Sequence, residues 1–280
     1  AGRVIHSQGW PLTDANGGAF LYHHANNQVA LGFVVWLNYS NPYLSPFEEF
    51  QRWKTHPEVK KILAGGRRVS YGARAISDGG WQSVPKLAFP GGALIGCSAG
   101  LLNVPRIKGS HTAMKSGMLA ADAAVEALAA RREHDSLTSY QTAYENSWIY
   151  KELRMVRNVL PLVEKYGNVV GTALAGINMW LENFGIRMPF TMKYHPDHKA
   201  LKKKNTAERI DYPKPDGVFS FDRLSSVFLS NTNHAEDQPI HLQVKDMDLQ
   251  KNSEFMEFAG PSARYCPAGV YEWIEEEGKD

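Results

Sequence analysis

Three sets of residues in this 280-residue chain have the types and spacing for chemistry. The first lies in residues 90–121, PGGALIGCSAGLLNVPRIKGSHTAMKSGMLAA, where an apolar strand, a loop holding Gly96, Gly100 and Gly109, and a small-residue helix follow one another. Glycines let a planar or phosphorylated ligand approach the backbone, and a helix N-terminus offers free N–H groups and the positive end of a dipole, so negative charge on a ligand is stabilised there. A generic strand, turn and helix has the same spacing. The second set is two cysteines in unlike settings. Cys97 follows the apolar run with no partner thiol and no adjacent base, which reads as packing rather than redox chemistry. Cys266 opens Cys-Pro-Ala-Gly, a turn expected to expose its sulfur. The third is Asn16-Gly17-Gly18, where backbone polar groups stand free of side-chain bulk, as they also do in a plain turn.

Other site chemistries find no support. His23 and His24 sit in a hairpin with side chains facing opposite ways, the wrong geometry for joint ligation. No zinc or di-iron spacing occurs. The net charge of +2 gives no global field that would favour nucleic acid. Two cysteines are too few for a disulfide scaffold, so a reducing compartment is expected. With 43% hydrophobic and 21% charged residues the chain suits one large or two modest globular domains. The opening AGRVIHSQGW lacks an initiator Met and any leader pattern, so the chain is expected to begin within a longer protein and to stop within one at WIEEEGKD.

Elements must position these residues. Two apolar runs, 19–22 and 29–37, flank a polar His-Ala-Asn-Asn stretch and predict a hairpin. Ser45 as cap, Pro46 at the first helical position and Glu48 and Glu49 in the first turn predict a short helix to about Thr55. Residues 67–77 between two Gly-Gly pairs read as a strand, and 86–96 as further strands of a sheet. A helix rich in Ala, Gly, Ser and Met spans about 109–132, another about 136–157, and a third segment 160–181. Residues 166–181, YGNVVGTALAGINMWL, carry no charge. That run is shorter than the roughly 20 residues a spanning helix needs, so it predicts insertion into one leaflet, with Trp180, Tyr166 and Phe184 at the interface. Lys193, His195, His198 and residues 199–204 add positive charge for anionic headgroups. A core helix followed by a solvated basic loop is the plainer reading. Residues 199–217 form a linker or domain boundary.

The string from Gly96 to Gly117 closely resembles the second FAD-binding motif of the electron-transfer flavoprotein:ubiquinone oxidoreductase family. The resemblance runs on through Gly9-Trp-Pro-Leu12, Asn41-Pro-Tyr-Leu-Ser-Pro-Phe47, Phe50-Gln-Arg-Trp-Lys54, Tyr71-Gly-Ala-Arg-Ala75, Asp211-Tyr-Pro-Lys-Pro-Asp-Gly217 and Cys266-Pro-Ala-Gly-Val-Tyr-Glu272, nearly the whole chain. Many related flavoproteins have Gly-Asp where this chain has Gly96-Cys97-Ser98, which sets the family apart.

The resemblance implies a mixed α/β, FAD-dependent oxidoreductase-like piece. Residues 1–85 would be a ubiquinone-binding sheet region, 86–135 the second half of an FAD-binding domain, 136–204 a helical membrane-surface region, and 205–280 the start of a ferredoxin-like iron–sulfur domain. It implies FAD at Gly96, Cys97, Ser98, Gly100, Asn103, Gly109 and Thr112, with Asn103 beside the isoalloxazine ring as a donor and the helix start favouring the negatively charged reduced flavin. It implies ubiquinone at Gly17 and Gly18, a 4Fe-4S cluster with Cys266 as first ligand, and Tyr271 bonding to a cluster thiolate. Three further cysteines would follow downstream, so the piece is expected to be inactive alone. The partners implied are electron-transfer flavoprotein, ubiquinone and a membrane surface, on the mitochondrial matrix face or the bacterial cytoplasmic face. No side chain takes a catalytic role, because the cofactors do the chemistry. Two rivals are an FAD reductase of isoprenoid double bonds, against which Cys-Pro-Ala-Gly-Val-Tyr argues, and a cofactor-free membrane- or partner-binding module.

Overall fold

The computed structural model describes residues 2–239 and 243–274; the acidic run at 275–280 lies outside the described residues. The fold is mixed α/β, in two compact units, one drawn from Ala1–Ala73 with His195–Asp280 and the other from Arg74–Tyr194.

In the first unit the expected hairpin forms. Strands β2 (Gly17–His23) and β3 (Val29–Val35) pair antiparallel, with Leu21 opposite Leu31. The turn between them sets Asn26 and Asn27 at positive φ, a conformation asparagine adopts more readily than most residues. A further strand, β1 (Val4–Gln8), pairs with the other edge of β2. Its sequence, VIHSQ, has no clean alternation, and it is a strand because β2 supplies the partner. Helix α1 (Pro46–Lys54) starts as expected, with the Ser45 hydroxyl accepting the Glu48 N–H at 3.4 Å. Trp53 of α1 packs with Ala19 and Leu21 of β2 and with Val59 of α2 (Pro57–Leu63). Two ionisable groups are buried beside this core. Glu49 accepts from Arg52 at 3.1 Å and from the Tyr212 hydroxyl at 2.8 Å, and burial still holds its carboxyl above the ordinary range. Burial, aided by the charge of Arg68, brings Lys54 down to about 8.

Residues 67–77 are a correction. They form no strand: Arg68 bonds to Ser226 and Ser225 at 2.6 and 3.1 Å, and the Tyr71 N–H donates to Leu229 O. These anchors leave the backbone without a ladder partner, and a strand needs one. The sheet expected over 86–96 shrinks to a two-residue ladder, β4 (Ala88–Phe89) with β5 (Gly92–Ala93), around the Pro90-Gly91 turn.

The second unit is built on α3 (Ser110–Ala129), α4 (Thr138–Asn146) and α5 (Trp148–Met155). Leu87, Leu101, Ala123, Tyr140, Ile149 and Leu153 form its core. Tyr140 is fully buried and spends its hydroxyl on Leu94 O at 2.9 Å, the partner a buried phenol requires. The single helix expected over 136–157 is broken at Ser147, which is extended (ψ 166°) and donates its hydroxyl to Tyr144 O at 2.6 Å.

The run 160–181 also divides. Helix α6 (Val159–Tyr166) ends at Gly167, with φ +74°, and a π turn (Gly167–Gly171) leads into α7 (Thr172–Asn183). A Cβ on Gly171 would lie 2.6 Å from Leu162 O and Val163 Cα, so only glycine lets the chain fold back on α6 here. The segment after α7 is tied down by Arg157, only 5% exposed. Its guanidinium donates to Thr191 Oγ1, Arg154 O, Glu182 Oε1, Met188 O and Phe190 O at 2.6–3.3 Å, while Glu182 Oε1 also accepts the Met188 N–H at 3.0 Å. All five guanidinium N–H donors are spent.

Candidate functional site

The glycine loop of the second unit is fixed by short-range bonds. Residues Gly96–Ala99 make one 3₁₀ turn, entered from an extended Ile95 and closed by Gly100 in the left-handed region (φ +72°). Gly96 is at φ +55° and a Cβ there would meet the Ala113 methyl at 3.0 Å, so this glycine sets how closely loop and α3 approach. The Gly96 N–H donates to Ser116 Oγ at 3.0 Å, and the Thr112 hydroxyl contacts Leu101 O and Gly109 O. Ser116 and Thr112 are both fully buried, bolting the first two turns of α3 to the loop. Cys97 is half-buried and Ser98 exposed. Gly109 precedes α3, whose first-turn amides have no side-chain cap.

Asn103 is fully buried and paired with Lys108 through both backbone N–H groups. Its side-chain oxygen accepts the Arg106 N–H at 3.3 Å, and its amide donates to Glu152 Oε1 at 2.7 Å. The same carboxylate oxygen lies 2.9 Å from His111 Nε2, and the imidazole stacks on Trp148 with ring centres 5.6 Å apart. Burial alone would raise the Glu152 carboxyl, but the bonds from His111 and Asn103 and the charges of His111 and Arg106 hold it below the ordinary range, hence ionised and accepting from both. Glu152 is a residue that sequence reasoning missed; 49 residues separate it from Asn103 and no local pattern marks it.

These residues fit a flavin in part. A glycine turn in left-handed conformation and an uncapped twenty-residue helix suit a planar group that gains negative charge on reduction. Asn103, expected to donate to the ring, has no exposed surface, and one of its two amide N–H groups is spent on Glu152.

In the first unit Gly17 and Gly18 form no turn ahead of the 19–22 run but open β2. A Cβ on Gly17 would lie 2.1 Å from Val34 O, and one on Gly18 2.2 Å from Ser7 O. The three-stranded sheet itself therefore demands glycine at both positions.

Cys266 ends the short helix Ser262–Tyr265 and is buried, contrary to the exposed sulfur expected of its turn. The Val270 N–H donates to its Sγ at 3.4 Å. Tyr71 donates its hydroxyl to Pro267 O at 3.1 Å and so holds the Cys-Pro turn, a role the sequence did not reveal. Tyr271 follows, half-buried. An N–H donor on sulfur fits a thiolate ligand, yet one thiolate is a quarter of a four-cysteine set, and among the described residues no three His, Cys, Asp or Glu side chains gather as a metal site.

Comparison with known proteins accounts for both units. Residues 1–76 match the model described as ETF-QO, ubiquinone-binding, and residues 217–280 match the model described as electron transfer flavoprotein-ubiquinone oxidoreductase, 4Fe-4S. The chain is 57% identical over 276 residues to the electron transfer flavoprotein-ubiquinone oxidoreductase of Pseudomonas aeruginosa, which covers 98% of this chain and 50% of that one. The mitochondrial relatives of that name in Arabidopsis thaliana and Sus scrofa are 52% and 50% identical, over 99% and 100% of this chain and 43% and 46% of theirs. The chain spans about half the length of the curated relatives it matches. With a relative aligned over 98% of the chain, and a matching model at each end, the chain belongs to the electron transfer flavoprotein-ubiquinone oxidoreductase family.

Proposed function

We propose that this chain is the quinone-binding, flavin-supporting and membrane-facing part of an oxidoreductase that passes electrons from reduced electron-transfer flavoprotein, through FAD and a 4Fe-4S cluster, to ubiquinone. The observation that carries the reading is the 57% identity across 98% of the chain. In this reading the β1–β3 sheet forms the quinone region, with Gly17 and Gly18 bringing bare backbone to a quinone carbonyl. The turn at Gly96–Gly100 and the first amides of α3 hold the flavin, with Thr112 and Ser116 fixing the helix against the loop. Cys266 supplies one cluster thiolate and Tyr271 a hydroxyl beside it, with the Val270 N–H donating to Sγ. FAD when bound supplies one-electron and two-electron redox chemistry, and the side chains here position it and tune it. Residues 1–280 hold one cysteine suited to the cluster and do not complete the electron path by themselves.

The test uses the full-length protein, the full chain that contains residues 1–280, purified in mild detergent. It should carry bound FAD and a four-iron cluster in near one-to-one ratio with protein, and a colourless, iron-free protein contradicts the reading.

Membrane contact at α6, α7 and the segment that follows is part of the proposal. Among the described residues no helix is long and apolar enough to cross a membrane. Large apolar side chains nevertheless face outward here: Val169 is 84% exposed, Trp180 67%, Phe184 65% and Ile177 57%. Trp180 and Phe184 meet edge to face, ring centres 4.9 Å apart, as a single aromatic surface. Burying two such side chains in lipid contributes roughly 3–6 kcal/mol. Vesicle co-sedimentation of the full chain should therefore survive about 1 M salt, where the Debye length is only about 3 Å. Replacing Ile177 and Trp180 together by glutamate should weaken it by well over tenfold. Equal binding by the variant and the parent contradicts this placement.

A further inference from the structure

A cavity of about 370 Å³ lies within the second unit, between α6, α7 and the segment that Arg157 and Asn158 hold against them. That volume is in the range of small-molecule sites, roughly 300–1,000 Å³. Leu162, Leu181, Met188 and Met192 line it, and Tyr166, Ile177 and Phe190, all exposed, form its rim. No Asp, Glu, Lys, Arg or His lines it. The buried Arg157–Glu182 pair beside it is spent on itself and on the backbone of residues 188–190.

One feature of this lining conflicts with an apolar void. Asn178 lines the cavity from the middle of α7, only 6% exposed, and its side-chain oxygen has no hydrogen-bond partner. Asn158, the other amide of the lining, has both ends engaged, by Phe190 O at 3.2 Å and by the Met192 N–H at 2.9 Å. Asparagine is a poorer helix former than leucine, and a buried acceptor left unpaired is costly. At this position a leucine would serve packing better on both counts. The amide is accounted for if a ligand brings the missing donor.

We propose that this cavity binds an uncharged amphiphile, an apolar chain bearing one hydroxyl, with the hydroxyl donating to Asn178 Oδ1. The lining offers no ionisable partner for a phosphate or carboxylate head, and the unpaired Asn178 acceptor calls for a ligand that brings an O–H donor. Two sources share this chemistry, the free hydroxyl of a glycerolipid and the head of a reduced quinone; an oxidised quinone has no donor. The site does not depend on the flavin or cluster assignments.

The test uses the full chain in detergent with a monoacylglycerol carrying a photoreactive group on its acyl chain, the labelled peptides being located by mass spectrometry. Label is expected within residues 158–192, displaced by unlabelled monoacylglycerol and at least tenfold less well by the same lipid with its hydroxyls methylated. A short-chain hydroquinone should also displace it and the corresponding quinone should not; whichever hydroxyl compound acts at the lower concentration identifies the source. Asn178→Leu should erase the preference for the hydroxyl form while leaving the methylated lipid bound as before. Leu174→Trp, at a partly exposed lining position, should block both and serves if Asn178→Leu folds poorly. Equal displacement by hydroxyl and methylated lipid, or label confined to peptides outside 158–192, overturns the proposal. A protein that binds vesicles and takes no label overturns this proposal alone and leaves the membrane reading intact.

Discussion

Arg157→Met is expected to cost about 3–5 kcal/mol, the penalty for leaving a buried charge uncompensated. The guanidinium satisfies Glu182 and three backbone carbonyls at once, and removing it strands the Glu182 carboxylate at 6% side-chain exposure with the Met188 N–H as the donor left on that oxygen. The loss should be local as well as large. Backbone amides of residues 188–192 should exchange with solvent much faster than in the parent, because Met188 O and Phe190 O lose their donor. The double variant Arg157→Met/Glu182→Met should recover part of the stability, since a buried ion pair replaced by apolar side chains is often near neutral. Denaturant unfolding and hydrogen exchange check both points. A cost below about 1 kcal/mol would show that water reaches the pair.

Cys266→Ala should abolish the electron paramagnetic resonance signal of a reduced four-iron cluster in the full chain, while Cys97→Ala leaves that signal unchanged. The structure separates the two thiols clearly. Cys266 Sγ accepts a backbone N–H within a turn pinned by Tyr71, the environment of a thiolate ligand, whereas Cys97 lies in the 3₁₀ turn of the glycine loop in the other unit. An unchanged signal in Cys266→Ala, or its loss in Cys97→Ala, contradicts the ligand assignment.

Elements with local signals were legible before any coordinates. Ser45 and Pro46 announced α1, the polar break at 24–27 announced the β2–β3 hairpin, and the Pro-free stretch after Gly109 announced α3 within one residue at its start and three at its end. What failed had no local cause. Residues 67–77 have the composition of a strand, yet a strand exists only where another backbone pairs with it, and Arg68 and Tyr71 bind elsewhere. Ser147 breaks a helix without glycine or proline, by turning its hydroxyl back on Tyr144 O. The candidate site divides in the same way. The glycine loop, Asn103 and Cys266 were visible as types at a spacing, but Glu152 under Asn103, Tyr71 on Pro267 and the unpaired amide of Asn178 arise from contacts between distant residues or across a cavity. The two glycines at 17 and 18 carry a warning about variants. Any side chain there strikes Val34 O or Ser7 O, so lost quinone activity in such a variant would report a damaged sheet as readily as a lost quinone contact.

In the proposed function this family member delivers electrons to ubiquinone. The most direct measurement is ubiquinone reduction by the full chain, with reduced electron-transfer flavoprotein as donor and a short-chain ubiquinone as acceptor. Catalytic turnover that requires both substrates is expected, with no turnover by residues 1–280 alone. A flavin-loaded, cluster-bearing full chain that leaves ubiquinone oxidised in the presence of the reduced flavoprotein would contradict it.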